Sequence, residues 1–278
     1  AETLKGSKIY LDFPSVGATE NLLMAAVFAE GETVIENAAR EPEIKNLIET
    51  LNLMGCPIEG AGTGTLHIQG IGDLEGGEIE IIPDRIEAST YLIAGAATGG
   101  DVTVSRVIPE HLDAITAKLE EAGVGIEADE DRVRAFLKDP MKSVSLKTLP
   151  YPGFPTDVQP QFTALMAISE GTSIIQEGVF ESRFLHVSEL KRMGANIELQ
   201  GNTAVVSGVR SLNGADVRAT DLRAGAALVI AGLSTPDETS LFGLGHIWRG
   251  YERMDEKIRS LGGQVKIVVS EENGDLKW

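Results

Sequence analysis

A glycine recurs along this chain at nearly constant spacing, and that periodicity constrains the fold more than any other feature. Gly55, Gly123, Gly194 and Gly262 stand about 68, 71 and 68 residues apart, in the segments LNLMGCPIE, LEEAGVGIE, LKRMGANIE and IRSLGGQVK. Each segment reads as a helix end with glycine in the left-handed capping position, passing into a strand. The helices that end there are amphipathic: Leu112, Ile115, Leu119 and Ala122 form one apolar stripe, Tyr251, Met254, Ile258 and Leu261 another, and Ile44, Leu47, Ile48 and Leu51 a third. A second kind of helix precedes each of these. LLMAAVFA from Leu22, YLIAGAA from Tyr91, FTALMAI from Phe162 and AGAALVIAGL from Ala224 are small or apolar throughout, which predicts burial on most faces. Strands are expected at TVIEN from Thr33, TLHIQG from Thr65, DVTVSRV from Asp101 and SIIQEGVF from Ser173. The chain therefore reads as α+β, built from four α-β-α-β-β units of about 70 residues with helices inside and sheets outside.

Charge narrows the functional classes. Forty-two acidic residues against 24 basic ones leave a net charge of −18 in 278 residues, with a pI near 4.6, and no Lys/Arg stripe offsets it, which argues against a nucleic-acid partner. The longest apolar run, Leu22 to Ala29, is too short to cross a bilayer, and the opening residues do not predict a signal peptide. A single cysteine, Cys56, precludes an intrachain disulfide framework and favours a reducing, cytoplasmic setting. In LMGCPIE it reads as a small buried packing residue. His67, His111, His186 and His246 lack metal-ligand spacing, so no metal is expected.

Polar residues recur with the same period. Ser15, Asp84, Asp157 and Asp221 each precede a buried helix, and Arg40, Arg106, Arg183 and Arg249 stand near the junction of a strand with the second helix. Equivalent positions in repeated units fall at equivalent ends of the fold, so helix N-termini and arginines are expected to share a face suited to an anion. Helix capping explains the recurring acids equally well, and both readings stand for Asp157 and Asp221. Arg223 faces the same helix start as Asp221 and is a weaker anion candidate.

Several longer stretches carry a resemblance. DFPSVGATENLLMAA (12–26), ENAAREPEI (36–44), IPDRIEAST (82–90), GFPTDVQPQF (153–162), VFESRFLHVSEL (179–190), ATDLRAGAALV (219–229) and RGYER (249–253) resemble the UDP-N-acetylglucosamine enolpyruvyl transferases, along the whole chain and in the same order. The resemblance implies two inside-out α/β barrel domains of three units each, with the active site in the cleft between them. It makes residues 1–82 one unit of a first domain and residues 83–278 most of a second, lacking its N-terminal strand and helix. The family is roughly half as long again, about six units, so the chain is expected to be truncated at its N-terminus. It then lacks the family's N-terminal lysine-asparagine pair and the loop bearing a cysteine or aspartate general acid.

The implied reaction moves the enolpyruvyl group of phosphoenolpyruvate to the 3′-hydroxyl of UDP-N-acetylglucosamine and releases phosphate, opening peptidoglycan synthesis, with no cofactor. By motif, Asp157 is the base beside the 3′-hydroxyl, Arg183 and Arg249 hold phosphoenolpyruvate, and Asp221 serves catalysis. Ser15, Val16 and Gly17 contact the nucleotide diphosphate, and Val179 and Phe180 the sugar nucleotide. Glu41 and Glu43 match acids lining the cleft; by residue type alone they read as solvated carboxylates at a helix N-terminus. Valine and phenylalanine closing a strand read, by residue type, as core. Phe13-Pro14 stands where some relatives carry a lysine. Two alternatives remain: an enolpyruvyl transferase for shikimate 3-phosphate, whose glycine and serine phosphate motifs are missing, or a fragment that binds without turnover. The exposed helix at Leu22 to Ala29 is expected to draw a second copy or a complementary N-terminal piece.

Overall fold

The computed structural model describes residues 3–269 and 276–278. The chain divides into two compact units, Ala1–Ile82 with Pro150–Gly153, and Pro83–Leu149 with Phe154–Trp278.

The smaller unit contains β1 (Lys8–Tyr10), α1 (Val16–Val27), β2 (Glu32–Glu36), α2 (Pro42–Leu53), β3 (Ile58–Glu59) and β4 (Thr65–Gln69). Its sheet has the order β1-β2-β4-β3, with β1 parallel to β2 and the other pairs antiparallel. Leu23 and Val27 of α1, Ile44 and Ile48 of α2, and Ile35, Leu66 and Ile68 from the sheet enclose one core, and Cys56 is fully buried in it. Burial pushes the Cys56 thiol up, as befits a packing residue rather than a reactive thiolate. Helix α1 is only partly covered: Met24 and Phe28, four residues apart, are 47% and 53% exposed.

The larger unit contains α3 (Arg85–Ala97), β5 (Asp101–Ser105), α4 (Asp113–Glu121), β6 (Val124–Asp129), β7 (Arg132–Leu137), β8 (Leu146–Lys147), α5 (Gln159–Met166), β9 (Thr172–Gln176), α6 (His186–Arg192), β10 (Asn196–Gln200), β11 (Thr203–Ser207), β12 (Asp216–Arg218), α7 (Leu222–Leu233), β13 (Ser240–Phe242), α8 (Leu244–Ile247), α9 (Met254–Ser260), β14 (Val268–Val269) and β15 (Leu276–Lys277). Three sheets, ordered β5-β7-β6, β10-β11-β9-β8 and β12-β13-β15-β14, share one core. Helices α3, α5 and α7 pack on one another within it. Every residue of α5 is buried, the polar Gln159, Gln161 and Thr163 included.

The four capping glycines are left-handed, with φ of 99°, 97°, 89° and 91° at Gly55, Gly123, Gly194 and Gly262. Another pair marks the repeat just after the last strand of its unit: a Cβ at Gly70 or Gly208 would stand 1.8 or 1.6 Å from the carbonyl oxygen of Ala29 or Ser169. Three corrections follow. A short strand (β1, β8 or β12) precedes the first helix of three units and pairs in parallel with the next strand, so those units read β-α-β-α-β-β. Strands of two or three residues are too short to show an alternation. The strand expected through Phe180 ends at Gln176. Leu261 is half-exposed rather than part of the buried stripe.

Candidate functional site

Three of the four recurring residues before buried helices do cap them. Ser15 Oγ accepts from the amide of Ala18, Asp84 Oδ1 from those of Ile86 and Glu87, and Asp221 Oδ1 from those of Arg223 and Ala224, at 2.8–3.3 Å. Asp157 does not. It lies in the 3₁₀ turn Thr156–Val158 ahead of α5, and its carboxylate turns to two arginines. Arg183 Nη2 donates to Oδ1 at 2.6 Å and Arg223 Nη2 to Oδ2 at 2.9 Å. The arginine side chains are only 11% and 15% exposed, and that of Asp157 is 37% exposed. Burial pushes the Asp157 carboxyl up, but Arg223 and Arg183, with Arg85 beyond them, outweigh it and hold it below the usual carboxylate range.

Each arginine is held from behind. Arg183 opens the 3₁₀ turn Arg183–Leu185; its Nε donates to Thr156 Oγ1 at 3.1 Å and its guanidinium lies 4.4 Å over the Phe180 ring. The Nδ1–H of His186 donates to the Arg183 carbonyl at 3.0 Å. His186 is fully buried, which pushes its pKa down to about 4 and keeps the ring neutral at pH 7. Arg223 gains its place from the cap that Asp221 puts on α7 and from Tyr251, whose hydroxyl accepts from Nη1 at 3.4 Å.

Val179 and Phe180 form a turn, with Phe180 half-exposed rather than in the core. Glu177, 3% exposed, builds that turn. Its Oε1 accepts from Thr148 Oγ1 at 2.6 Å and from the amides of Val179 and Phe180 at 2.8 and 2.9 Å, while Thr148 Oγ1 accepts from the Gly178 amide at 2.8 Å. Arg249 lies apart from the cluster by contact. It is exposed in the turn between α8 and α9 and makes no side-chain hydrogen bond or ion pair among the described residues.

In the smaller unit Val16 packs on the core, whereas a Cβ at Gly17 would meet nothing within 4 Å, and Ser15 takes the Ala18 amide of the first turn of α1. Glu41 is buried, not solvated: Oε1 accepts from the Tyr151 amide at 3.3 Å and Oε2 is without a partner among the described residues. Glu43 is exposed; burial first, and then its charge, push the carboxyl of Glu20 up.

Sequence reasoning missed Glu177, Arg85, and the hydroxyl of Tyr251, which it read only as one member of an apolar stripe. A tyrosine in such a stripe must find a partner for its hydroxyl, and that was the available signal. Among the described residues no group of three or more His, Cys, Asp or Glu could hold a metal ion, and no helix is long and apolar enough to cross a membrane.

A partly exposed carboxylate between two guanidiniums, on the turns ahead of α5 and α6 and the first turn of α7, makes a site that can hold an anion and accept a proton. The family model for EPSP synthase (3-phosphoshikimate 1-carboxyvinyltransferase) matches residues 1–258, and the chain belongs to that family of enolpyruvyl transferases. Within it the chain is a homologue of the UDP-N-acetylglucosamine 1-carboxyvinyltransferases. It is 56% identical over 265 residues to enzyme 1 of Caldanaerobacter subterraneus, covering 95% of this chain and 64% of that protein. It is also 56% identical over 272 residues to enzyme 1 of Carboxydothermus hydrogenoformans, covering 98% and 65%. The chain thus spans about two-thirds of the length of these relatives. The crystal structure of the enolpyruvyl transferase NikO from Streptomyces tendae superposes with a TM-score of 0.86 at 29% identity, covering 96% of this chain and 66% of that one. EPSP synthase from Acinetobacter baumannii, at 19% identity and a TM-score of 0.73, shares the fold. The expected enolpyruvyl transferase architecture is therefore present.

Proposed function

We propose that this chain carries the phosphoenolpyruvate and sugar-nucleotide residues of a UDP-N-acetylglucosamine 1-carboxyvinyltransferase, acting in the cytoplasm in peptidoglycan synthesis. The observation that carries the reading is the Arg183–Asp157–Arg223 cluster, formed by motifs that match such transferases. Arg183 and Arg223, with Arg249, offer guanidiniums to the carboxylate and phosphate of phosphoenolpyruvate. Asp157 takes the proton of the 3′-hydroxyl as that oxygen bonds to C2 and C3 is protonated; C3 then gives a proton back as the C–O bond to phosphate breaks, which leaves the enol ether and free phosphate. The paired carboxylate is a weak base. An incoming anion competes for the same two guanidiniums, relieves that pairing, and raises the proton affinity of Asp157 when the substrate is in place. The Ser15–Val16–Gly17 turn offers amides to the diphosphate, and Val179 and Phe180 present an apolar edge to the sugar nucleotide. Asp221 acts by capping α7 and so orienting Arg223.

The methylene carbon also needs an acid, which the family carries on residues that this chain does not match. These 278 residues on their own are proposed to bind and not to turn over, since removing a positioned acid costs about 10² to 10⁴ in rate. Calorimetric titration tests the reading. Binding of UDP-N-acetylglucosamine, with phosphoenolpyruvate following, supports it; binding of shikimate 3-phosphate in its place refutes it. The exposed Met24 and Phe28 support a cover over α1, either a second copy or a complementary N-terminal piece, and a sharp monomer in sedimentation velocity refutes self-association.

A further inference from the structure

The hydroxyl of Tyr251 is fully enclosed, yet it meets three polar groups from three different helices. Thr90 Oγ1 of α3 lies at 2.9 Å, Gln161 Nε2 of α5 at 3.3 Å and Arg223 Nη1 of α7 at 3.4 Å. The proton inventory sets the direction of each bond. The Thr90 hydroxyl donates to the Ile86 carbonyl at 2.8 Å, so its oxygen is left to accept. Tyr251 therefore donates to Thr90, and its lone pairs accept from Gln161 and Arg223. The Gln161 amide is oriented by the same logic, with its NH₂ facing three acceptor oxygens: those of Thr90 and Tyr251, and the main-chain carbonyl of Asp157 at 3.0 Å.

Both arms of this hub end on one residue. Through Gln161 the phenol holds the peptide carbonyl of Asp157, and through Arg223 it holds the Asp157 carboxylate, at 2.9 Å from Nη2. Arg223 cannot rotate about its fork without giving up one of its two acceptors. We propose that Tyr251 is the positioning residue of the site, its hydroxyl fixing backbone and carboxylate of Asp157 together from beneath the three central helices. Its relevance to catalysis rests on the proposed role of Asp157; the positioning itself does not.

The conservative variant Tyr251→Phe keeps the ring and removes only the hydroxyl. The primary readout is the titration of Asp157, followed by carboxyl ¹³C resonance in the full chain and assigned with Asp157→Asn. The charged groups bearing on that carboxylate are Arg223, Arg183 and Arg85. Loosening Arg223 weakens the first of these, so the Asp157 titration is expected to move up in Tyr251→Phe. Ile115→Val, a truncation of a buried core residue in α4, is expected to lower the melting temperature without moving that titration. The affinity for phosphoenolpyruvate in the presence of UDP-N-acetylglucosamine is expected to fall about threefold to tenfold in Tyr251→Phe, the range for the net loss of one ordinary hydrogen bond. An unchanged Asp157 titration in Tyr251→Phe overturns the proposal. Binding of neither substrate by the native chain, with the titration still shifted, refutes the substrate reading and leaves the positioning intact. If Tyr251→Phe does not fold, the native chain decides: a slowly exchanging Tyr251 hydroxyl proton with cross-peaks to Gln161 and Arg223 supports the hub, and its absence overturns it.

Discussion

Asparagine at position 157 preserves the shape of the side chain and removes its charge, leaving Arg183 and Arg223 to face each other almost out of solvent. Asp157 makes two charge-assisted bonds, at 2.6 and 2.9 Å. Each bond of this class contributes about 1.5–3 kcal/mol, and exposure of a third of the carboxylate reduces that, so a total near 2 kcal/mol is expected. For a unit of this size that corresponds to a fall of about 4–8 °C in melting temperature at pH 7. The sign of the pH dependence follows from the direction of the shift. The folded-state pKa of Asp157 lies below its unfolded value, so its stabilisation is complete above the ordinary carboxylate range and disappears as pH falls through the folded value. The gap between native chain and Asp157→Asn should therefore close in acid. Inorganic phosphate should narrow it at pH 7, because two unpaired guanidiniums bind an anion more tightly than two paired ones. Differential scanning calorimetry across pH, with and without phosphate, makes the measurement. A variant as stable as the native chain at pH 7, or a gap that persists in acid, refutes the pairing.

The other expectations concern the residues around that cluster. His186 has its folded pKa pushed down to about 4, so its burial costs stability as pH falls from about 6.5 to about 4, by roughly 3 kcal/mol in all; His186→Gln should flatten the stability curve in that window, and an unchanged curve refutes the neutral buried ring. Glu177→Ala strips acceptors from Thr148 and from the amides of Val179 and Phe180. Hydrogen exchange at those two amides should rise and UDP-N-acetylglucosamine affinity should fall about tenfold, whereas unaltered exchange would show that another group holds the turn. Arg249→Ala should leave stability within about 0.5 kcal/mol, since its side chain is exposed, while weakening phosphoenolpyruvate binding. A large loss of stability would mean that Arg249 is a structural residue.

Much of the molecule is legible in its sequence. The capping glycines carry the period of the fold, because only glycine enters the left-handed conformation there without strain. Small and apolar stretches announce central helices, and the run from Phe162 falls in α5, every residue of which is buried. Motif order brought Asp157, Arg183 and Phe180 to attention as site residues, and the family match supports the fold that carries them.

What sequence could not decide was where each polar group spends its hydrogen bonds. Asp84, Asp157 and Asp221 are alike by position, yet two cap helices and the third is drawn away by two guanidiniums from segments 26 and 66 residues distant. Glu41 and Glu177 have the composition of solvated acids, yet both are buried and meet groups distant in the chain, Tyr151 and Thr148. Tyr251 belonged to an apolar stripe until α3, α5 and α7 converged on its hydroxyl. Local sequence sets periodicity and caps because these depend on a residue and its near neighbours. Pairing of charges and enclosure of a hydroxyl depend on groups distant in the chain, and only tertiary packing brings those together.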